Sequence, residues 1–351
     1  MERGIILSTL IFILLSCGSR EKTDIRIEAR FKGAVDLSDI MNRPERLVLS
    51  NPDTVVVGAI KKIIAGAGRF YLSDGMSIHV YTDEGVFLFK IDRRGRGPGE
   101  YFDIMDFCLC DNSIYIIDRS PKLLKYGLDG QPDSSVALDF FPATICASGD
   151  GFLCLSSAYQ SEVEKFHTYS PRTLERLSSF FPVDKAEMTY RHFLNQQTFF
   201  LYGDMLLYHE TMNNNVLEVY RDSVRVFHSF DLMGKNPPDS FFTRYYRNVM
   251  DFNMEVNDKG YCVGMPVYAE DDRTIFFTYR DGASYRACLY DKKTGESEQF
   301  STIRFPDIET PVEVSDLGFG FLADKALVIS LPDYLDDTGG NDIVVYGVWD
   351  D

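Results

Sequence analysis

Few of the local signatures of an enzyme occur in this chain. It has no G-x-S-x-G elbow and no Walker-type phosphate loop, which leaves elbow-type acyl transfer and P-loop nucleotide chemistry without support. Its five histidines, His79, His167, His192, His209 and His228, fall at no metal-ligand spacing. No second Cys pair lies where a tetrahedral zinc site would need it. Asp333, Asp336, Asp337 and Asp342, around Gly339 and Gly340, lack the order of an EF-hand loop and its bidentate Glu, and read as a solvated acidic loop. Neither a metal nor a cofactor is called for. Positive charge is also scarce: 36 Lys and Arg face 53 Asp and Glu, a net −17. Such a surface disfavours nucleic acid and anionic lipid as partners.

Long apolar runs are missing too. Ile5–Leu15, preceded by Arg3, is too short to span a bilayer as a stable helix. With a charged start, an apolar centre and a small residue at its end, it reads as an export signal over residues 1–16. The ending Leu14-Leu15-Ser16-Cys17 resembles a bacterial lipobox, which implies a lipid on Cys17 and a membrane contact through that lipid alone. Gly18, in place of Asp, fits outer-membrane sorting by the same resemblance, with the leaflet and side left open. Residues 17–24 form a polar tether, and residues 25–351 are expected to form one domain.

What the chain does have is a repeat. Tyr71-Leu72-Ser73-Asp74 matches Tyr115-Ile116-Ile117-Asp118, Tyr81 matches Tyr126, and Gly85 matches Gly130. Each copy is a pair of apolar-alternating runs bounded by Asp/Gly turns, where those residues tolerate positive φ. Tyr81, Tyr126, Tyr169, Tyr220, Tyr290 and Tyr346 end comparable runs at intervals of 43 to 70 residues. Strand-only units of this period are propeller blades, which must close into a ring to bury both faces. The expectation is an all-β, six-bladed β-propeller whose terminal blade is closed by N- and C-terminal strands.

The connector Gly95-Arg96-Gly97-Pro98-Gly99-Glu100-Tyr101, joined to these hairpins behind a lipobox, resembles the six-bladed β-propeller lipoproteins of Bacteroidetes, whose blades are similar to NHL repeats. The resemblance implies a fold and an envelope location, and no catalytic residues.

Candidate binding residues follow from composition. Arg94 and Arg96 alternate with Gly95, Gly97 and Gly99, so backbone amides and guanidiniums could hold an anion. The competing reading is a tight crossing between blades in which Arg96 or Glu100 satisfies buried backbone. Tyr190-Arg191-His192 and Arg244-Tyr245-Tyr246-Arg247 place aromatics beside Arg, which suits stacking on sugars or holding acidic groups; equally, they could be amphipathic caps packed on the ring. Apolar residues at 242, 245, 246, 249 and 250 predict a helix capped by Asp239 or Ser240. Cys146 and Cys154 flank Asp150 symmetrically, either facing each other across a hairpin or buried as separate thiols.

The functional expectation is a monomeric binding or scaffolding module at the cell envelope for a glycan, peptide or protein partner. The alternative is an envelope hydrolase or lyase with carboxylates gathered in the central channel.

Overall fold

A computed structural model describes residues 22–158, 164–182, 197–210, 214–242, 244–264, 267–322, 327–331 and 342–347. Strands β1 (Thr23–Ile27), β2 (Phe31–Asp36) and β3 (Glu45–Leu49), with the one-turn helix α1 (Leu37–Ile40), come first. Antiparallel meanders follow. One is β4 (Lys62–Gly66), β5 (Arg69–Ser73), β6 (Ile78–Thr82) and β7 (Phe87–Ile91). The next is β8 (Ile104–Cys110), β9 (Ser113–Asp118), β10 (Lys122–Gly127) and β11 (Pro132–Ala137). Then come β12 (Pro142–Ala147), β13 (Leu153–Ser157), β14 (Glu164–Tyr169) and β15 (Arg176–Pro182), and after them β16 (Gln197–Tyr202), β17 (Met205–Glu210), β18 (Asn215–Val219) and β19 (Val224–Leu232).

Helices α2 (Asp239–Phe242) and α3 (Val249–Lys259) interrupt the strands. The chain resumes with β20 (Cys262–Val263), β21 (Tyr268–Glu270), β22 (Thr274–Asp281), β23 (Ser284–Asp291) and β24 (Ser297–Arg304). It ends with β25 (Val312–Glu313), β26 (Gly318–Leu322), β27 (Leu327–Ser330) and β28 (Ile343–Gly347).

Inner strands β4, β8, β12 and β16 stand side by side, and β26 pairs with β4. The architecture is an all-β propeller. Hydrogen bonding divides the described strands into five sheets, where six separate blades were expected. The reason lies at the closing point. There β26 and β4 bond in parallel, Phe321 with Ile64 and Leu322 with Ala65, and this makes one eight-stranded sheet, β3-β28-β27-β26-β4-β5-β6-β7. The third strand and the last described strand meet in that sheet, since β3 pairs antiparallel with β28 from Glu45↔Gly347 to Leu49↔Ile343.

The N-terminal strands reach further than one sheet. β1 adds in parallel to the outer edge of β19, and β2 to the outer edge of β24. Those strands are nine and eight residues long, and their edges would otherwise offer unpaired backbone to another chain. Ile25, Ile27 and Val35 are buried by this addition. By contrast β11 carries Pro132 and is mostly exposed, as suits an edge that needs no cover.

Alternation along the meanders fixes two rims. Hairpins between first and second and between third and fourth strands open on one rim. Hairpins between second and third strands share the other rim with the connectors to the next meander. Hydrogen bonds tie the β7–β8 connector to the hairpins on either side: Ile104 N donates to Gly75 O (2.9 Å), and the amides of Phe102 and Asp103 donate to Asp118 Oδ1 (2.9 and 3.0 Å). The repeated aspartates do the same work in successive sheets, since Asp74 accepts from the amides of Met76, Ser77 and Gly58.

The recurring tyrosines end third strands. Tyr81, Tyr126, Tyr169 and Tyr346 are buried, Tyr290 is half-buried, and Tyr220 lies just past β18 and is exposed. Cys146 and Cys154 do face each other, as cross-strand partners in β12 and β13. Both are free thiols. Ser148 N donates to Phe152 O, so the alternation of the ladder makes 146/154 a hydrogen-bonded pair. Such pairs hold their Cβ atoms at the wide end of the cross-strand range, near ~5.5 Å, beyond the ~4.5 Å limit of a relaxed disulfide.

Candidate binding rim

The connector between β7 and β8 is folded around its own acid. Glu100 Oε2 accepts from Gly97 N at 2.8 Å, and a Cβ on Gly95 would fall inside the same carboxylate. The concavity framed by the glycines therefore already holds an internal anion. Tyr101 is fully buried and donates to Ile91 O (2.8 Å) or Met76 O (3.0 Å), while its own backbone amide donates to Arg93 O. Tyr126 Oη donates to Gly99 O at 2.6 Å and Lys122 Nζ to Glu100 O at 2.8 Å, which fastens the connector to the next sheet. The arginines point outward. Arg94 Nε pairs with Asp92 at 3.1 Å, and Arg96 is exposed with no partner among the described residues.

The second candidate lies in the connector from β19 to β20. The expected helix from residue 239 is displaced. α2 is a single turn, and the long helix α3 starts at Val249. Asn248 caps it, accepting from the amides of Met250 and Asp251 (both 2.9 Å), and Gly260 ends it at φ 63°. Asn248, with Asp251 three residues on and Gly260 beyond, is the readable signal; of the apolar positions 245, 246 and 250, Tyr246 alone enters a core while Tyr245 and Met250 are exposed. Phe241, Tyr246, Phe252, Val256 and Val263 form that core. Arg280 Nη1 donates to Asn253 Oδ1 (2.8 Å) and moors the helix to β22.

Arg244, Tyr245 and Arg247 thus sit on the link between the two helices. Arg244 pairs with Glu255 (2.7 Å) and Arg247 with Asp251 (3.1 Å). Tyr245 is 72 % exposed, and Met250 and Met254 beside it are exposed as well. Arg244, Tyr245, Arg247 and Met254 border a shallow groove of about 500 Å³. The third candidate, Tyr190-Arg191-His192, lies outside the described residues, as does Cys17.

A cavity of about 90 Å³ between β4, β8, β12 and β16 is lined by Lys62, Cys108, Cys146 and Phe199. Lys62 Nζ pairs with Asp106 at 2.7 Å, and Asp106 also accepts from Ile145 N (2.9 Å) and the Thr144 hydroxyl. Burial would lower the ammonium's pKa, but the Asp106 carboxylate outweighs it and holds the pKa above its ordinary value. Burial pushes the Cys108 thiol well up and the Cys146 thiol up to about 12. A protonated lysine and two protonated thiols supply no nucleophile. Among the described residues, no three of His, Cys, Asp and Glu are placed to hold a metal ion.

Comparisons with known proteins agree on the fold. A provisionally named exported protein of Bacteroides fragilis has a similar structure, with a TM-score of 0.71 at 17 % identity, covering 94 % of this chain and 100 % of that one. The RRP9 WD40 repeats give 0.48 at 10 % identity over 86 % and 96 % of the two chains. The Doa1 WD40 propeller gives 0.45 at 8 % over 87 % and 97 %. Those two scores are too low to add to the argument. No curated protein matches the chain. A family model matches residues 23–319, and its description names neither a lipoprotein nor NHL-like blades. The chain belongs to the family described as "Domain of unknown function (DUF4934)".

Proposed function

We propose that the protein is an exported, non-catalytic binding module that meets its ligand on the connector rim. One observation carries this reading: exposed large apolar side chains gather there, Val56, Met76, Phe102, Phe141 and Tyr245 among them, beside the outward arginines. Soluble surfaces rarely hold such patches without a use. The hydrolase reading calls for convergent carboxylates in the channel, and Asp106 there is already paired with Lys62.

The propeller is best counted as six sectors. The eight-stranded sheet is then two four-stranded blades, β4–β7 and β26-β27-β28-β3, joined by a two-residue bridge. The six tyrosines, one at the end of each third strand, support that count.

Export is supported by residues 1–16 and by the name of the Bacteroides fragilis neighbour. No described helix is long and apolar enough to cross a membrane. A lipid on Cys17 is the anchor in this reading, and the domain acts as a monomer on its tether, with a glycan, peptide or envelope protein as partner. Export and anchoring are tested by expression with labelled palmitate; label that persists after Cys17→Ser removes the anchor. Binding is tested by titrating the full chain against panels of polysaccharides and peptides. Saturable binding without turnover is expected. Turnover abolished by Asp106→Asn would replace the binding reading with the enzymatic one.

A further inference from the structure

We infer that the part of the connector rim over β4–β12 docks a protein segment bearing apolar and acidic side chains. This inference rests on the binding reading above and narrows it to one stretch of the rim and one class of partner.

The surface is continuous. Tyr101 Oη reaches Met76 O (3.0 Å), and Arg94 Nη1 lies 3.8 Å from Met76 Sδ, so the β5–β6 turn and the β7–β8 connector form one face. Phe102 N and Arg119 Nη1 continue it to the β9–β10 turn, through Asp118 and Asp103. Leu138 N donates to Pro121 O at 2.9 Å and brings in the connector that carries Phe141. Along this path Met76, Phe102, Met105 and Phe141 are 47, 53, 39 and 47 % exposed. Two of the four are methionines, which adapt to protein side chains and offer no flat face to a sugar ring.

Charge selects the partner further. The chain is strongly acidic, yet three carboxylates here turn inward, while Asp92, Asp103 and Asp139 stay outward, each paired with an arginine. Glu100 is held by Gly97 N, Asp74 by three amides, and Asp118 by the amides of Phe102 and Asp103. The guanidiniums of Arg94, Arg96 and Arg119 remain on the surface. Among the described residues Arg94 and Arg119 each keep donors beyond their single acid partner and Arg96 has no partner, so carboxylates arriving with apolar groups find bidentate sites.

The probe is a displayed library of short random peptides selected on the immobilised full chain. Selected peptides should be enriched in Asp or Glu together with Phe, Leu or Ile, and added salt should weaken them. Arg96→Ala and Phe102→Ala should each weaken a selected peptide by about tenfold or more. Both side chains are exposed, and an unchanged melting temperature checks the fold. Val86→Ala, an exposed side chain on the opposite rim, should leave binding unchanged. Peptides without acidic enrichment, or indifferent to Arg96→Ala and Phe102→Ala, overturn the inference. Peptides lost instead on Tyr245→Ala would move the contact to the α3 groove, overturning this inference while sparing the rim reading. So would an empty selection beside a polysaccharide that binds the rim.

Discussion

The two rims of the propeller are built from the same strands and differ in what joins them. On the turn rim, short Asp/Gly hairpins close the sheets, and Gly85 at φ 85° packs against the Val48 carbonyl. Among the described residues at or beside these turns, Val86, Leu88, Leu177 and Tyr220 are the exposed large apolar side chains. On the connector rim, longer segments hold Asp74, Glu100 and Asp118 against backbone amides and put arginines and apolar groups outside. The turn rim can be closed by backbone geometry alone, whereas the connector rim needs particular side chains to hold each crossing. This leaves other side chains there free to meet a partner.

That contrast can be broken most severely at Tyr101. Tyr101→Ala should lower the unfolding free energy by about 3–5 kcal/mol, because it empties a fully buried site under the connector. Urea denaturation reads the loss, and a change under about 1 kcal/mol would mean the crossing is not held by this side chain. A pH effect of similar size comes from His167, stacked on Phe140 at 3.7 Å. Burial, then Arg176, push its pKa down to about 4. The unfolded imidazole takes a proton below about pH 6.5 and the folded one does not. Stability is therefore full above that pH and falls, by roughly 3 kcal/mol, as pH drops toward 4. In His167→Gln, melting temperatures across this window should lose that slope.

On the turn rim, Gly85→Ala should cost about 2 kcal/mol, from positive φ and collision with the Val48 carbonyl. A neutral result in thermal melts would show that this turn is looser than the connectors opposite. The smallest effects belong to the α3 groove. Tyr245→Ala and Arg247→Ala should each shift stability by less than about 0.5 kcal/mol, since one side chain is exposed and the other makes a solvent-screened pair. A larger loss would make them structural caps rather than binding groups.

Much of this was legible in the sequence, for a physical reason. Hairpins are local, and Tyr71–Asp74 and Tyr115–Asp118 carry the same alternation and the same turn acid, so the unit and its period could be read directly. The glycine-rich connector could be located but not interpreted. Only the structure shows Glu100 seated on Gly97 N, with Gly95 too close to bear a side chain. The helical link was misplaced because apolar residues at helical spacing need not share a face: Tyr246 is buried in a small core while Tyr245 and Met250 are exposed. Contacts that join distant residues were out of reach: no spacing announces that Lys62 meets Asp106, or that β26 bonds to β4 and merges two meanders. The partners of β1 and β2 were hidden in the same way, more than two hundred residues downstream at His228 and Gln299.

Those distant pairings set an order on assembly. The first strands made are among the last to find their places, because Thr23 waits for His228, Phe31 for Gln299 and Glu45 for Gly347. A growing chain can stack its middle sheets early while its leading segment trails unpaired. The structure can lock only when the final strand arrives. Removal of β28 should therefore release β3 as well, while β1 and β2 stay on β19 and β24, and leave β27 as an open edge.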